Sequence, residues 1–231
     1  MSKFSAVVFD LGGTLMEYKN MPYVWFDYYD AAFHEINNKL GLDLSEAEIA
    51  HSLEVLKSYN PGINYREVDY PPEKIFGDVT ARWNTDLPLS EIIDGFFGAM
   101  HLEALIYPES ETVLKELRRR DFIIGTYTNV VSGMPDKMHR SYFESLMPYF
   151  DIYVSSASCG YRKPHPRGLE IISGMFNVEP REMLFVGDER KDPQTAQRFG
   201  CRSVLVNRSE EARDFGQDYT VRDLREILNI L

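Results

Sequence analysis

The chain has 231 residues, of which 44% are apolar, a proportion that is ordinary for a globular protein and argues against disorder. Its formal net charge of −11 excludes general nucleic-acid binding through a basic surface, although a small anionic substrate could still bind at a locally positive site. The 2 cysteines lack metal-binding spacing, so we expect neither a disulfide framework nor a zinc site, and we predict a reducing, cytoplasmic location.

The first predicted element is a buried strand over residues 4–10, because "FSAVVFD" is short, contains β-branched residues and is followed by glycines. The pattern then changes to one that is typical of helices. Trp25, Tyr29 and Phe33 recur at i, i+4 and i+8 within residues 24–40, which places them along one helical face. We interpret this face as part of a hydrophobic core rather than as a substrate-binding surface.

Three further helices are predicted before the pattern changes again. Ser45 and Glu48 form a capping-box pattern at the start of one of them, and Pro88 stands near the start of another. The intervening stretch "NPGINYREVDYPP" is rich in turn-forming residues and is predicted to be a loop. The helices are predicted over residues 44–59, 71–83 and 88–105.

Beyond Pro108, apolar strands alternate with helices. The strands are predicted over residues 121–129, 151–156, 181–188 and 201–207, and the helices over residues 111–120, 138–150, 166–176, 193–200 and 221–231. Such alternation is typical of a parallel sheet with helices on both faces. We therefore predict an α/β fold: a Rossmann-like parallel-sheet core over residues 1–16 and 104–231, with an inserted α-helical domain over residues 17–103.

The residues with the most reactive side chains come just after the predicted core strands. Because ligands of an open α/β sheet bind beyond the carboxyl ends of its strands, we expect these side chains to converge. A carboxylate there could attack phosphorus, a divalent cation could offset the repulsion between anions, and a lysine and a hydroxyl could stabilise the transferring group. The residues are Asp10, Thr128, Asn129, Lys163, Asp188 and Asp192.

In this order the motifs "FDLGGTL", "TN", "GYRKP" and "VGDERKD" resemble the four motifs of the haloacid dehalogenase superfamily. The resemblance covers essentially the whole chain. It implies the fold of that superfamily, and the helical insert resembles the C1-type cap of the subfamily that contains phosphoglycolate phosphatase-like enzymes. We therefore expect a hydrolase, and specifically a phosphatase that acts on a small phosphorylated metabolite.

The resemblance also implies a magnesium site. Asp10 would be both the nucleophile and a Mg²⁺ ligand. Gly12 would offer its backbone carbonyl to the metal, and Asp188 would supply a second carboxylate. Asp192 would support the metal shell or Lys163, and both roles stay open for it, because only three residues separate it from Asp188 where many relatives have four.

A second set of residues is expected to bind the phosphoryl group. The resemblance implies that Thr128 hydrogen-bonds the phosphoryl oxygens and that Lys163 pairs with the phosphoryl group and with Asp10. Asn129, the other residue of the second motif, is placed in the same phosphate-binding set. Because glycine allows close approach of the backbone, the N–H of Gly13 is expected to lie near these oxygens as well.

Gly12 stands where most phosphatases of this superfamily have a second aspartate, the general acid and base. Glycine cannot move a proton, so a phosphatase would need a substitute such as Glu17, Tyr18 or Tyr23, or a good leaving group. Family dehalogenases also lack this aspartate, which makes a metal-free 2-haloacid dehalogenase the alternative, although Asp188 favours a cation site. A third hypothesis is a phosphate- or metal-binding module without turnover.

The expected partners follow from these observations. We expect a small phosphorylated metabolite as substrate and Mg²⁺ as cofactor, with no nucleic acid. No segment approaches the roughly 18 apolar residues of a membrane-spanning helix, so no membrane association is expected. The chain is expected to be a monomer or a homodimer.

Overall fold

The computed structural model describes residues 4–19 and 27–231. Tyr23 and Trp25, which the sequence singled out, lie outside the described residues. After the first strand the chain forms a short second strand and then a run of helices. These elements are β1 (Ala6–Phe9), β2 (Met16–Tyr18), α1 (Asp27–Leu40), α2 (Glu46–Ser58), α3 (Pro72–Val79) and α4 (Leu89–Ala99).

The remainder of the chain alternates between strands and helices. Its elements are β3 (Ala104–Ile106), α5 (Pro108–Arg119), β4 (Ile123–Thr128), α6 (Asp136–Ser141), β5 (Ile152–Ser155), α7 (Ser156–Cys159), α8 (Arg167–Phe176), β6 (Met183–Gly187), α9 (Lys191–Phe199), β7 (Arg202–Val206) and β8 (Tyr219–Val221).

Within the described residues, a six-stranded sheet has the order β5-β4-β1-β6-β7-β8, and all its strand pairs are parallel. Phe9 on β1 pairs with Thr126 on β4 and with Val186 on β6. The predicted α/β fold with a Rossmann-like sheet is therefore confirmed. This register brings the carboxyl ends of β1, β4 and β6 to one edge of the sheet.

Three predicted helices differ from the structure. The helix predicted over residues 88–105 ends at Ala99, and residues 104–105 already belong to β3. Residues 138–150 do not form one helix: α6 ends at Ser141, and a 3₁₀ helix, Glu144–Tyr149, follows with Pro148 inside it. Proline lacks the N–H that an α-helix would need there. Residues 221–231 begin in the edge strand β8, whose Val221 pairs with Val206, and then form a 3₁₀ helix, Leu224–Asn229.

Helices α1 to α4 have an apolar core of their own. It is dominated by aromatic rings, among them Phe33, Phe76 and Phe96, and it also contains Tyr29. The helix-core interpretation of Tyr29 and Phe33 agrees with their near-complete burial. The four predicted helices of this insert are present, and the capping box of Ser45 and Glu48 has both of its hydrogen bonds.

The insert leaves and rejoins the chain at a short antiparallel ladder. Met16 on β2 pairs with Ile106 on β3, and Tyr18 pairs with Ala104, close to the predicted domain boundaries. The sequence did not predict this ladder. The division into a core (1–16 and 104–231) and a cap (17–103) itself stays a prediction. In the described part of the chain, no helix has the length and apolar character needed to cross a bilayer.

Candidate active site

Asp10 stands immediately after β1, at the sheet edge. Its N–H donates to the Val186 carbonyl on β6 (2.8 Å), which continues the ladder by one residue beyond the strand. The turn that follows is closed by the Leu11 carbonyl, which accepts hydrogen bonds from the N–H groups of Thr14 and Leu15. Asp10 is thus buried and fixed by backbone contacts before any side chain contributes.

Lys163 approaches Asp10 from the loop that precedes α8. Its Nζ lies 2.8 Å from Asp10 Oδ1 and 2.6 Å from Asp192 Oδ1, and its side chain is fully buried. The Asn129 side chain positions this loop, because its Oδ1 accepts the Lys163 N–H (2.8 Å) and its Nδ2 donates to the Lys163 carbonyl (3.3 Å). The Asn129 side chain thus orders the backbone of Lys163, a contact that its predicted phosphate-binding role did not anticipate.

Three carboxylates meet at the same edge. Asp10, Asp188 and Asp192 each offer an oxygen, and these oxygens lie within 4.8 Å of one another. Thr14 Oγ1 donates to Asp188 Oδ1 (3.1 Å) and the Glu189 N–H donates to Asp192 Oδ2 (2.9 Å). We call Asp10, Thr128, Lys163, Asp188 and Asp192 the cavity floor.

Two glycines make room for these carboxylates. A Cβ on Gly13 would lie 2.1 Å from Asp188 Oδ2, and Gly13 has a φ of +75°. A Cβ on Gly187 would lie 2.3 Å from the Asp192 carboxyl carbon. The N–H of Gly13 donates to the Met16 carbonyl (2.7 Å), so the structure gives it another partner than the predicted phosphoryl group.

The floor has an uneven electrostatic balance. Burial by itself would raise the pKa of Asp10, but Lys163 and Lys191 hold it below the ordinary value. Burial opposes the charge of Lys163 as well, yet Asp10 and Asp192 raise its pKa. Asp188 lacks such a partner: burial and the charges of Asp10 and Asp192 raise its pKa to about 8. The floor therefore has more negative charge than its lysine compensates.

The floor opens into a cavity of about 460 Å³, a size that suits a small metabolite. Thr128, at the end of β4, lines this cavity, and its hydroxyl has no hydrogen-bond partner among residues 4–19 and 27–231. Gly12 also lines it, and a Cβ at this position would meet no atom within 4 Å. Of the proposed substitute acids, Glu17 and Tyr18 line the cavity, and Glu17 Oε2 accepts a hydrogen bond from Tyr107 (2.9 Å).

Arg162, which lines this cavity, shares one aspartate with a second arginine, Arg66. Arg162 Nη1 donates to Asp69 Oδ2 (2.6 Å), and Arg66 Nη1 donates to Asp69 Oδ1 (3.1 Å). Arg66 Nη2 also donates to Ser132 Oγ (3.0 Å). Tyr29 lines the same cavity from α1. We call Tyr29, Arg66, Asp69 and Arg162 the arginine wall.

A buried histidine completes the cavity. His139 on α6 lines it, and its Nδ1 lies 2.8 Å from the Tyr153 hydroxyl on β5. Burial lowers the pKa of His139 to about 4, with the charge of Asp10 acting in the opposite direction. The ring is therefore neutral at pH 7. Nε2 has no hydrogen-bond partner in the part of the chain that the structure describes.

The structure thus brings Asp10, Lys163, Asp188 and Asp192 together with the Thr128 hydroxyl, as predicted from their positions after strands. The sequence did not single out Arg162 or His139 as site residues. Arg162 directly precedes Lys163 in "GYRKP", and this position next to a predicted site residue could have indicated a role for it. Nothing in the pattern around His139 marked it, because its role depends on a contact with another element.

Comparison with known proteins gives the family. A model of the haloacid dehalogenase-like hydrolases matches residues 4–200. The chain belongs to this family. The resemblance read from the four motifs is confirmed, and the chain is a hydrolase of this kind.

Two curated relatives show how far the similarity extends. A phosphoserine phosphatase from Thermus thermophilus is 34% identical over 59% of the chain, and the match spans 55% of that relative, about half its length. A phosphoglycolate phosphatase from Nitrosospira multiformis is 28% identical, and the match covers 98% of the chain and 95% of the relative. The similarity to the second relative therefore includes the helical insert.

Solved structures agree on the fold. A phosphatase of this superfamily from Thermococcus onnurineus has a TM-score of 0.63 at 22% identity, over 98% of this chain and 97% of that one. A 2-haloacid dehalogenase from Pseudomonas syringae has a TM-score of 0.69 at 19% identity, again over 98% and 97%. At such identities the likeness concerns the fold and does not separate the two activities.

The chemistry of the floor fits a hard divalent cation. Its donors are carboxylate oxygens, which Mg²⁺ prefers, and the raised pKa of Asp188, about 8, shows that this carboxyl group needs a cation to be ionised at pH 7. Both carboxylate oxygens of Asp192 already have partners, since one pairs with Lys163 and the other accepts the Glu189 N–H. Asp10 and Asp188 are therefore the carboxylates of this hydrolase that are best placed to share an ion.

Proposed function

We propose that the protein is a Mg²⁺-dependent phosphatase of a small phosphorylated metabolite, with Asp10 as the nucleophile. The observation that carries this proposal is the cavity floor. A buried, ionised Asp10 is paired with Lys163 at 2.8 Å and lies within 4.8 Å of Asp188, beside the unpartnered hydroxyl of Thr128. The relatives aligned at 28% and 34% identity are named phosphatases, which supports the same reaction class.

In the first step a carboxylate oxygen of Asp10 attacks phosphorus. The P–O bond to the leaving group breaks, its electron pair stays on the leaving oxygen, and an aspartyl-phosphate forms. Lys163 and Thr128 donate hydrogen bonds to the phosphoryl oxygens, where negative charge develops. In the second step water attacks the same phosphorus, which releases inorganic phosphate and restores the Asp10 carboxylate.

The residues that would bind Mg²⁺ are Asp10 and Asp188 through their carboxylates and Gly12 through its carbonyl. When bound, the cation would offset the negative charge that the phosphoryl group adds to the floor. Asp192 would act through Lys163, whose Nζ it contacts at 2.6 Å. Of the two supporting roles expected from the sequence, the metal shell or Lys163, Asp192 thus takes the second.

The leaving oxygen needs a proton or a hydrogen bond, and Gly12 supplies neither. We place this role on His139. Burial raises the pKa of the Tyr153 hydroxyl, which therefore keeps its hydrogen, and we assign this hydroxyl as the donor to His139 Nδ1 (2.8 Å). Nε2 of the neutral ring then bears the hydrogen and can donate to the leaving oxygen. Glu17 also lines the cavity, but it is exposed and accepts from Tyr107.

The test is a screen of phosphorylated metabolites with and without Mg²⁺, using Asp10→Asn as the matched control. Wild-type protein should release phosphate in Mg²⁺ and lose this activity in EDTA. Asp10→Asn should release none above background, because an amide does not attack phosphorus. Equal release by both proteins would exclude Asp10 as the nucleophile. Clear Mg²⁺-linked ligand binding without any Asp10-dependent release would instead favour the binding-module hypothesis.

The dehalogenase alternative rests on Gly12 and needs no metal. Against it, a metal-free reaction would give the buried Asp188 no ionised role, because its pKa of about 8 keeps this carboxyl group protonated at pH 7 when no cation is present. Release of halide from 2-haloacids that persists in EDTA and disappears in Asp10→Asn would reverse the choice.

A further inference from the structure

The arginine wall has a surplus of positive charge. Arg66 and Arg162 share the single carboxylate of Asp69. Arg162 is almost completely buried, with 8% of its side chain exposed, and Asp69 has 2% exposed. A buried cation that is only half compensated is costly unless a further anion reaches it.

The hydrogen-bond donors of the two arginines are used differently. Arg66 directs both of its Nη atoms to protein acceptors, namely Val68 and Asp69 from Nη1 and Tyr59 and Ser132 from Nη2. Arg162 uses only Nη1, on Asp69 and more distantly on Ser156.

The Nε and Nη2 groups of Arg162 have no partner among the described residues, although this side chain lines the cavity. Tyr29 is in the same situation: its side chain is buried, it lines the cavity, and its hydroxyl has no partner in the described ranges. Both side chains line one cavity. Burial raises the pKa of the Tyr29 hydroxyl, and the charge of Arg162 acts on the same hydroxyl in the opposite direction. Together they offer a guanidinium edge and a hydroxyl, a combination that suits a carboxylate or a phosphate.

The position of Arg162 is fixed relative to the floor. It directly precedes Lys163, whose backbone is bound by Asn129, and its own N–H donates to the Glu67 carbonyl (2.7 Å). Lys163 therefore contacts Asp10, while its neighbour Arg162 lines the cavity. Arg162 also lines an adjoining cavity of about 510 Å³, to which Arg66 and Lys163 contribute. A molecule held by its phosphoryl group at the floor could place a second group here.

We propose that Arg162 and Tyr29 bind a second anionic group of the substrate, so that the enzyme acts on phosphorylated acids rather than on phosphate esters that carry no second anionic group. This inference rests on the proposed function of the cavity floor. The second group is a carboxylate or a second phosphate, since both present paired oxygens to a guanidinium.

The experiment uses three phosphate esters of one two-carbon skeleton: phosphoglycolate, 2-hydroxyethyl phosphate and ethane-1,2-diol bisphosphate. We expect wild-type protein in Mg²⁺ to favour either phosphoglycolate or the bisphosphate over 2-hydroxyethyl phosphate, and the favoured compound identifies the second group. Arg162→Met should lower kcat/KM for that compound by about 10- to 100-fold, mainly through KM, the loss typical of a hydrogen bond to a charged group. The same variant should change kcat/KM for 2-hydroxyethyl phosphate by less than about threefold. Tyr29→Phe should act in the same direction, more weakly.

Arg198→Met is the matched control. Arg198 also binds the loop that precedes α3, through Glu67 at 2.8 Å, but it lines neither cavity. This variant should leave unchanged the preference for the esters with a second anionic group over 2-hydroxyethyl phosphate. Equal losses on all three esters in Arg162→Met, or a wild-type enzyme without preference, would overturn the inference while Asp10-dependent release still supports the proposed function. Absence of Asp10-dependent release from every ester would overturn both.

Discussion

The cavity floor and the arginine wall have opposite surpluses of charge. In the floor, three carboxylates surround one lysine, and the pKa of Asp188 is raised to about 8. In the wall, Arg66 and Arg162 share Asp69. The floor therefore needs a cation and the wall needs an anion. A phosphorylated acid, bound together with a divalent cation, would complement both sides of the cavity at once.

The largest effect on this charge balance is expected from removing the lysine of the floor. Lys163→Met would leave Asp10 and Asp192 buried without their shared cation. We expect kcat to fall by about 10²–10³-fold, the usual cost of one donor to the transition state. We also expect a loss of about 3–5 kcal/mol in the free energy of unfolding, typical of a broken buried pair. Steady-state kinetics and urea denaturation measure the two effects.

Lys191→Met is the matched control for this change. Lys191 lines the same cavity and also lowers the pKa of Asp10, but its ammonium pairs with Glu189 and it is one-third exposed. Its removal should cost less than about tenfold in kcat, since exposed pairs contribute little. If both lysine variants lost activity equally, the special position of Lys163 in the floor would be contradicted.

A second prediction restores the missing acid of the floor. Gly12 lines the cavity and has open space where a Cβ would go, so Gly12→Asp can place a carboxyl group there. For alkyl phosphates with poor leaving groups, we expect kcat to rise by about 10²-fold, the lower end of general acid–base effects. Gly12→Asn has nearly the same size and no proton to give, so it should not gain activity. A gain in both variants would show that proton transfer is not the cause.

The same substitution tests the role of His139. His139→Gln should lower kcat for alkyl phosphates by about tenfold in the wild-type background and have almost no effect in Gly12→Asp. A phosphate ester with a good leaving group should be insensitive in either background. Equal loss on both classes of substrate would mean that His139 is needed only for packing.

The floor could be predicted from sequence because its residues occupy local, recurring positions. Asp10 and Asp188 each follow a strand directly, and a parallel sheet brings such positions to one edge. Lys163 was predicted because its loop follows a core strand, and the resemblance of "GYRKP" then gave it a role. The contacts that were missed are of two other kinds: the Asn129 side chain binds the backbone of Lys163, and the absence of a side chain at Gly13 leaves room for Asp188.

The wall could not be predicted in this way. Arg162 and Asp69 are 93 residues apart, and Asp69 comes from a loop whose sequence has no periodicity. Only the packing of that loop on the core, with the Asp69 N–H donating to the Gly160 carbonyl (2.9 Å), brings the pair together. The same reason applies to His139, which acquires its environment from Tyr153 on another element. Long-range contacts between loops leave no pattern in a single sequence.

A further prediction concerns His139, a neutral group that lines the same cavity. Its pKa is about 4 in the folded protein, against an ordinary value of 6.5, because burial disfavours its charged form. As pH falls below 6.5, His139 becomes protonated in the unfolded chain but stays neutral in the folded protein. The free energy of unfolding therefore decreases until pH reaches about 4. This group alone should lower the free energy of unfolding by up to about 3 kcal/mol over that range.

The measurement is urea denaturation at pH 7.0 and pH 4.5, for wild-type protein and His139→Gln. Wild-type protein should lose about 2 kcal/mol more between the two values than the variant, because glutamine does not titrate. His34 is a suitable comparison, since it is an exposed histidine whose pKa is raised by the Asp30 carbonyl and by Glu46. His34→Gln should retain the wild-type loss on this acidic side. An identical pH dependence in His139→Gln and wild-type protein would contradict a buried neutral ring.

The smallest expected effect separates stability from function in the floor. Because burial and the charges of Asp10 and Asp192 disfavour an ionised Asp188, Asp188→Asn should stabilise the protein in EDTA, by about 1 kcal/mol or about 2–4 °C in Tm. Wild-type protein should gain stability when Mg²⁺ is added, and Asp188→Asn should not. Glu189→Gln, the neighbouring carboxylate outside the floor, should keep the Mg²⁺ response. A variant at Asp188 that melts lower in EDTA and still responds to Mg²⁺ would mean that this carboxylate supports the fold, and the charge surplus assigned to the floor would need another explanation.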